Sequence, residues 1–146
     1  MAESLTFLLS PTFLVVTSGC GYFAARPLEG EVVQVPSSFN LESDKTPCYL
    51  ELKGHANGLR MNCFDLDGVL HIHSSRWAKL PRLSGESWTV TVLKQPLVRV
   101  EIERKIYVLS AVLIDDEQKR QQILRNRGYW HPWGSISVYR FVPPNG

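Results

Sequence analysis

The stretch Gly68-Val-Leu-His-Ile-His-Ser-Ser-Arg-Trp-Ala-Lys79 places two histidines, two serines, an arginine and a lysine within twelve residues. His71 and His73 are two positions apart, so on a strand they share a face about 7 Å apart. With His55 or His131 they could hold a zinc-type ion. No cysteine, histidine or carboxylate stands at motif spacing to supply a third ligand, so the pair reads as a solvated or ligand-facing strand surface, and no metal is expected. Ser74, Ser75 and Arg76 follow at the strand end. Short hydroxyls and a guanidinium on a loop with free backbone amides suit an oxyanion, although the same composition serves an ordinary turn. Trp130-His131-Pro132-Trp133 is aromatic-dense for a loop and could form a lid over a planar ligand, a subunit contact in a homodimer, or a plug for the end of a barrel. Ser-His-Asp catalysis has no support, because no nucleophile-elbow glycines occur and a helix start accounts for Asp115 and Asp116.

These residues must be positioned by strands. Cys48–Gly54 and Leu59–Leu66 flank a glycine-bounded loop, and Asp67-Gly68 is a two-residue hairpin signal leading into the next strand at Val69. Leu97–Glu103 alternates, with Val98, Val100 and Ile102 directed to a core and Arg99, Glu101 and Glu103 to water. After a turn near Arg104-Lys105, Ile106–Ile114 is apolar enough to be buried on both faces as a central strand. A surface helix starts with Asp115 as N-cap and Gln118 as its capping-box partner, and Gly128 closes it. Gly134–Val142 forms the last strand. Ser87–Pro96 is undecided on local grounds: its β-branched residues favour a strand, whereas Ser84 or Ser87 could cap a helix with Trp88 and Val92 on one face. Many short strands with few helices indicate a small antiparallel β-barrel, which closes to remove exposed edges.

The chain is about one domain long. Its mean hydropathy of −0.10 excludes a multi-span membrane protein. A net charge of +2 without a Lys/Arg run gives no footprint for duplex binding, so nucleic acid is not an expected partner. Leu5–Val16 has the length of a signal-peptide apolar region, and Thr17-Ser18-Gly19 lead into Cys20. This pattern resembles a bacterial lipoprotein signal. It implies residues 1–19 as signal peptide, Cys20 as the lipidated N-terminus holding the chain to the cell envelope, and residues 20–46 as an extended tether ahead of a barrel domain at 47–146. Without export the chain would be cytoplasmic. With Cys20 acylated, Cys48 and Cys63 remain as an even pair in a compartment where disulfides persist. A hairpin centred between His55 and Ala56 sets them opposite each other, whereas a turn at Asn57-Gly58 takes them out of register, so both a disulfide and two buried thiols stay open.

The order of motifs resembles the split β-barrel family of flavin and deazaflavin oxidoreductases, in particular its small deazaflavin-dependent, nitroreductase-like branch. That branch carries Lys-Gly-x-x-Ser/Thr-Gly and a following basic residue, then a strand ending in small residues, a Trp and Asn-Pro pair, Val-x-Val, and an acidic-capped helix. The counterparts are Lys53-Gly54-His55-Ala56-Asn57-Gly58 with Arg60, His71–Trp77, Trp88 with Gln95-Pro96, and Val98–Gln118. The resemblance covers roughly Tyr49 to Pro143 and implies that Trp88–Gln95 is a helix ended by Pro96. It further implies that a barrel groove receives the tricyclic ring of F420 or FMN. Lys53, His55, Asn57 and Arg60 from the hairpin, with Ser74, Ser75, Arg76 and Lys79, would hold the phosphate, and Trp88 would wall the ring.

The implied activity is hydride or electron transfer to a small acceptor such as a quinone or nitro compound. His55 and Ala56 stand where the family has two basic residues, and Asn57 where it has Ser or Thr. Each lost charge-assisted contact is worth about 1.5–3 kcal/mol. The rival expectation is therefore an exported lipoprotein without cofactor, using the barrel as a non-enzymatic module for a small anionic ligand or a protein.

Overall fold

The computed structural model describes residues 25–76, 78, 85–129 and 136–144. Nine elements follow in order: β1 (Glu31–Val32), β2 (Thr46–Leu52), β3 (Leu59–Leu66), β4 (Val69–His73), α1 (Trp88–Lys94), β5 (Leu97–Ile102), β6 (Lys105–Leu113), α2 (Glu117–Asn126) and β7 (Val138–Val142). Strands β6-β5-β2-β3-β4-β7 are hydrogen-bonded in that order, and β7 returns to β6. The result is a closed six-stranded antiparallel barrel, the small antiparallel barrel expected from the strand pattern and the small split β-barrel implied by the resemblance. β6 is long enough to take β7 along Ser110–Leu113 and the short parallel strand β1 at Lys105–Ile106.

Alternation fills the barrel. Leu50, Leu52, Leu70, Ile72, Val98, Val100 and Phe141 point inward, and their intervening neighbours point out. A second core lies outside the barrel, where Ile123 and Leu124 of α2 cover Phe64 and Val138. Asp67 and Gly68 both take positive φ, 51° and 77°, as a two-residue hairpin of this hand requires. The β5–β6 turn lies at Glu103-Arg104, one residue before the expected position, and both residues also take positive φ. Gly30 packs against this turn so closely that a Cβ would meet Arg104 O at 1.9 Å, which lets Glu31 N donate to that oxygen at 3.1 Å.

Four expectations are corrected. The helix cap is Asp116, which accepts from Lys119 N at 3.0 Å; Asp115 stays outside α2. Ser87 precedes α1 without a side-chain cap bond, although the helix and its stop before Pro96 are as the resemblance implied. Glu101 was expected in water, yet it is only 3% exposed. The N-terminal segment explains this: residues 25–45 lie on the barrel rather than running free as a tether. Arg26 clasps Glu101 through both guanidinium nitrogens at 2.9 and 2.8 Å and covers the Tyr49 ring at 3.7 Å, while Phe39 enters the core edge-on to Tyr107.

Cys48 and Cys63 form a disulfide. The observed register, Cys48↔Met61 and Thr46↔Cys63, centres the hairpin between Gly54 and His55, so neither sequence alternative describes it. The cysteines are diagonal neighbours. A two-residue offset keeps both on the inner face, and their Cα atoms are 5.9 Å apart, within disulfide reach.

Candidate functional site

The β3–β4 register, Phe64↔His71 and Leu66↔Val69, turns β4 back toward the end of the barrel where the β2–β3 hairpin lies. Lys53, His55 and Asn57 are exposed in the hairpin connection. Arg60 is exposed on β3 opposite Tyr49, and since Leu59 and Met61 pack on the core, Arg60 stands on the outer face. At the end of β4, Ser75 and Arg76 are exposed and a tight turn brings Ala78 N to Ser75 O at 3.2 Å. Ser87 Oγ donates to Ala78 O at 2.7 Å, which ties the start of α1 to that turn. Trp88 therefore follows directly, half-buried with its ring 5.5 Å from that of Tyr139.

The strand end and Trp88 are thus brought together, and the hairpin shares their end of the barrel. Among the described residues, the side chains of Lys53, His55, Asn57, Arg60, Ser75 and Arg76 have no hydrogen-bond or ion-pair partner. Unpartnered cations, an amide and a hydroxyl are a donor set that fits a phosphate. Ser74 differs from the rest. It is 1% exposed, its Oγ accepts from Ser137 N at 2.9 Å, and its own N donates to Ser137 O at 2.8 Å, so it extends the β4–β7 ladder. Lys79, Cys20 and the Trp130–Trp133 motif lie outside the described residues.

His71 and His73 do share a face, but α2 and its C-terminal extension cover it. Nδ1 of His71 lies 2.7 Å from Val69 O and that of His73 3.0 Å from Ser74 O, and both rings pack on Phe64. No group of three or more His, Cys, Asp or Glu among the described residues is placed to hold a metal. Burial holds both imidazoles below the ordinary histidine value of 6.5 despite these bonds; Arg127 adds to the effect on His73, and Lys119 and Arg140 on His71. The unfolded chain therefore binds these protons at higher pH than the native one, and the stabilising contribution is complete above 6.5 and lost as pH falls through the lowered native values. The unfolding temperature should decline from about pH 6.5 downward. Combined His71→Gln and His73→Gln should flatten that decline; a wild-type profile already flat across the range would contradict the assignment.

Sequence reasoning missed a cleft of about 300 Å³ at the other end of β2 and β5, lined by Arg26, Tyr49, Glu101, Glu103 and Arg104 with Thr46-Pro47. Nothing in the local pattern pairs Arg26 with a residue 75 positions away. The Arg26 guanidinium, helped by Glu29 N at 2.7 Å, holds the Glu101 carboxyl below the usual carboxylate range. Arg104 lies 3.8 Å from Glu29. The principal charges of this cleft are already matched within the protein, in contrast to the hairpin end.

The barrel has known counterparts. A pyridoxamine 5′-phosphate oxidase-like protein from Listeria innocua superimposes with a TM-score of 0.52 at 18% sequence identity, over 70% of this chain and 86% of that one. At that identity the likeness establishes the fold. No family model matches the sequence, and no curated protein matches it. Among the described residues, no helix is long and apolar enough to cross a membrane.

Proposed function

We propose that this chain is a split-barrel protein of the oxidoreductase type that binds a flavin or deazaflavin at the hairpin end of the barrel. The reading is carried by one observation: unpartnered phosphate-type donors gather at one end of a fold shared with a pyridoxamine 5′-phosphate oxidase-like protein. Lys53, His55 and Asn57 from the hairpin and Ser75 and Arg76 from the strand end hold the phosphate. Arg60, on the outer face, contributes long-range attraction, and Lys79 joins the set from its place in the sequence. Trp88, backed by Tyr139, walls the ring and excludes water from one side. The bound cofactor supplies the hydride or electron transfer, and the protein supplies orientation and charge. A small acceptor such as a quinone or nitro compound completes the reaction.

Arg76→Ala removes one charge-assisted contact and should weaken FMN or deazaflavin binding about tenfold or more. The variant should unfold at the wild-type temperature, because Arg76 is exposed. Unchanged affinity would remove the strand end from the phosphate site.

A second reading is favoured by the fully buried Cys48–Cys63 disulfide, which suits an oxidising compartment. In this reading the chain is an envelope lipoprotein, lipidated at Cys20, whose barrel serves as a non-enzymatic binding module. Mass spectrometry of the native protein should find a diacylglyceryl Cys20, and an intact Met1 would refute it.

A further inference from the structure

Upstream of residue 31 the chain runs along the outside of the barrel from the start of β6 toward the β2–β3 hairpin. At one end β1 lies beside the start of β6; at the other, Arg26 N donates to Gly58 O at 3.2 Å and Gly58 N to Arg26 O at 2.7 Å, beside the first residue of β3. The side chain of Arg26 runs from there toward the cleft, where it makes two bonds to Glu101 and sits on the Tyr49 ring. The chain therefore enters the described fold at the hairpin end, and it is clamped there. Five residues lie between Cys20 and Arg26, and the six extended steps they make reach about 20 Å. A lipid on Cys20 would hold the Gly58 edge within that distance of the headgroups, whereas the start of β6 lies about 10 Å farther along the strands.

The hairpin carries the chemistry for such a neighbour. Lys53 is exposed in the connection, and Arg60 is exposed on the outer face, away from the Trp88 side of the proposed cofactor site. Neither has a partner among the described residues, while the nearby pair on the same outer surface, Arg99 and Glu51, is already matched. Each unmatched Lys or Arg at an anionic membrane surface is attracted within about a Debye length.

We propose that the hairpin end is the membrane-facing surface of the anchored protein, with Lys53 and Arg60 set against anionic phospholipid headgroups. The proposal rests on lipidation of Cys20. A phosphate offered by a bound cofactor shares this chemistry, but a surface fixed by a short anchor and an outward arginine commits to the lipid.

The test uses the full lipidated protein in phosphatidylethanolamine–phosphatidylglycerol vesicles containing a headgroup spin-labelled lipid. Because Cys48 and Cys63 are bonded and Cys20 acylated, Asn57→Cys and, separately, Lys105→Cys each offer one thiol for a fluorophore; Lys105 is exposed at the far end of the barrel. The probe at position 57 should be quenched severalfold more than the probe at 105. Adding Lys53→Glu and Arg60→Glu to the Asn57→Cys chain should bring its quenching down toward the level at 105. Equal quenching of the two probes, or quenching at 57 unaffected by the charge reversals, in protein whose Cys20 is lipidated by mass spectrometry would overturn the proposal. An intact Met1 would overturn it together with the anchoring on which it rests.

Discussion

Phe64→Ala should lower the free energy of unfolding by about 3–5 kcal/mol, the range for removing a buried aromatic ring from a core. Phe64 is 1% exposed and stands on the outside of the barrel, where α2 needs an apolar floor. Its ring is stacked by His71 and approached by His73, and the Arg127 guanidinium lies 3.7 Å above its centre. That guanidinium is a further reason for a large effect. The Arg127 side chain is 8% exposed and its Nε has no hydrogen-bond partner among the described residues, so the Phe64 ring and the Asp44 carboxylate 3.8 Å away together compensate its burial. Phe64→Leu preserves most of the volume and should cost less than half as much. Urea denaturation measures both variants, and a loss below about 1 kcal/mol for Phe64→Ala would show that α2 does not depend on this contact.

Replacing Cys48 and Cys63 together by alanine should cost about 3 kcal/mol, the loop-closure value for cysteines 15 residues apart. In a domain of this size the unfolding temperature should fall by roughly 10 °C. The bond joins only adjacent strands, so the native state keeps its register from the β2–β3 ladder and the effect falls mainly on the unfolded ensemble. Both sulfurs are fully buried, and reductant should act on the native protein only as fast as the barrel opens. Identical unfolding curves for the oxidised wild type and the double variant would show that the bond contributes nothing.

Strand periodicity and turn chemistry made much of the barrel legible in the sequence. Leu59–Leu66 and Asp67-Gly68 are set by local rules that tertiary structure does not override. The α1 segment is different: Val90, Thr91 and Val92 favour a strand locally, and the family resemblance, with Pro96 as its stop, was needed to place the helix. Glu101 shows what alternation cannot convey. Its outward face is covered by Arg26, a contact between distant residues that no local pattern encodes. Residues 25–45 read as tether because they are polar, yet Phe39 and the backbone bonds of Glu31 and Val33 suffice to dock them. The diagonal disulfide depended on a hairpin register that two glycines left undetermined.

The candidate site was legible in composition more than in arrangement. Ser74, Ser75 and Arg76 form one continuous motif, but the backbone ladder takes Ser74 into the interior and leaves Ser75 and Arg76 outside. Arg60 belongs to the hairpin by sequence, and a single step of strand alternation sends it to the outer wall. Lys53, His55 and Asn57 stand exposed in the hairpin connection with no hydrogen-bond or ion-pair partner among the described residues, as the proposed phosphate site requires.

The central claim is that this end of the barrel binds a flavin-type cofactor, and fluorescence titration of the purified protein with FMN and with deazaflavin tests it most directly. Saturable binding of at least one of them at micromolar concentration, weakened in Arg76→Ala, is the predicted result. A protein that binds neither at that concentration would contradict it and leave a barrel used for recognition alone.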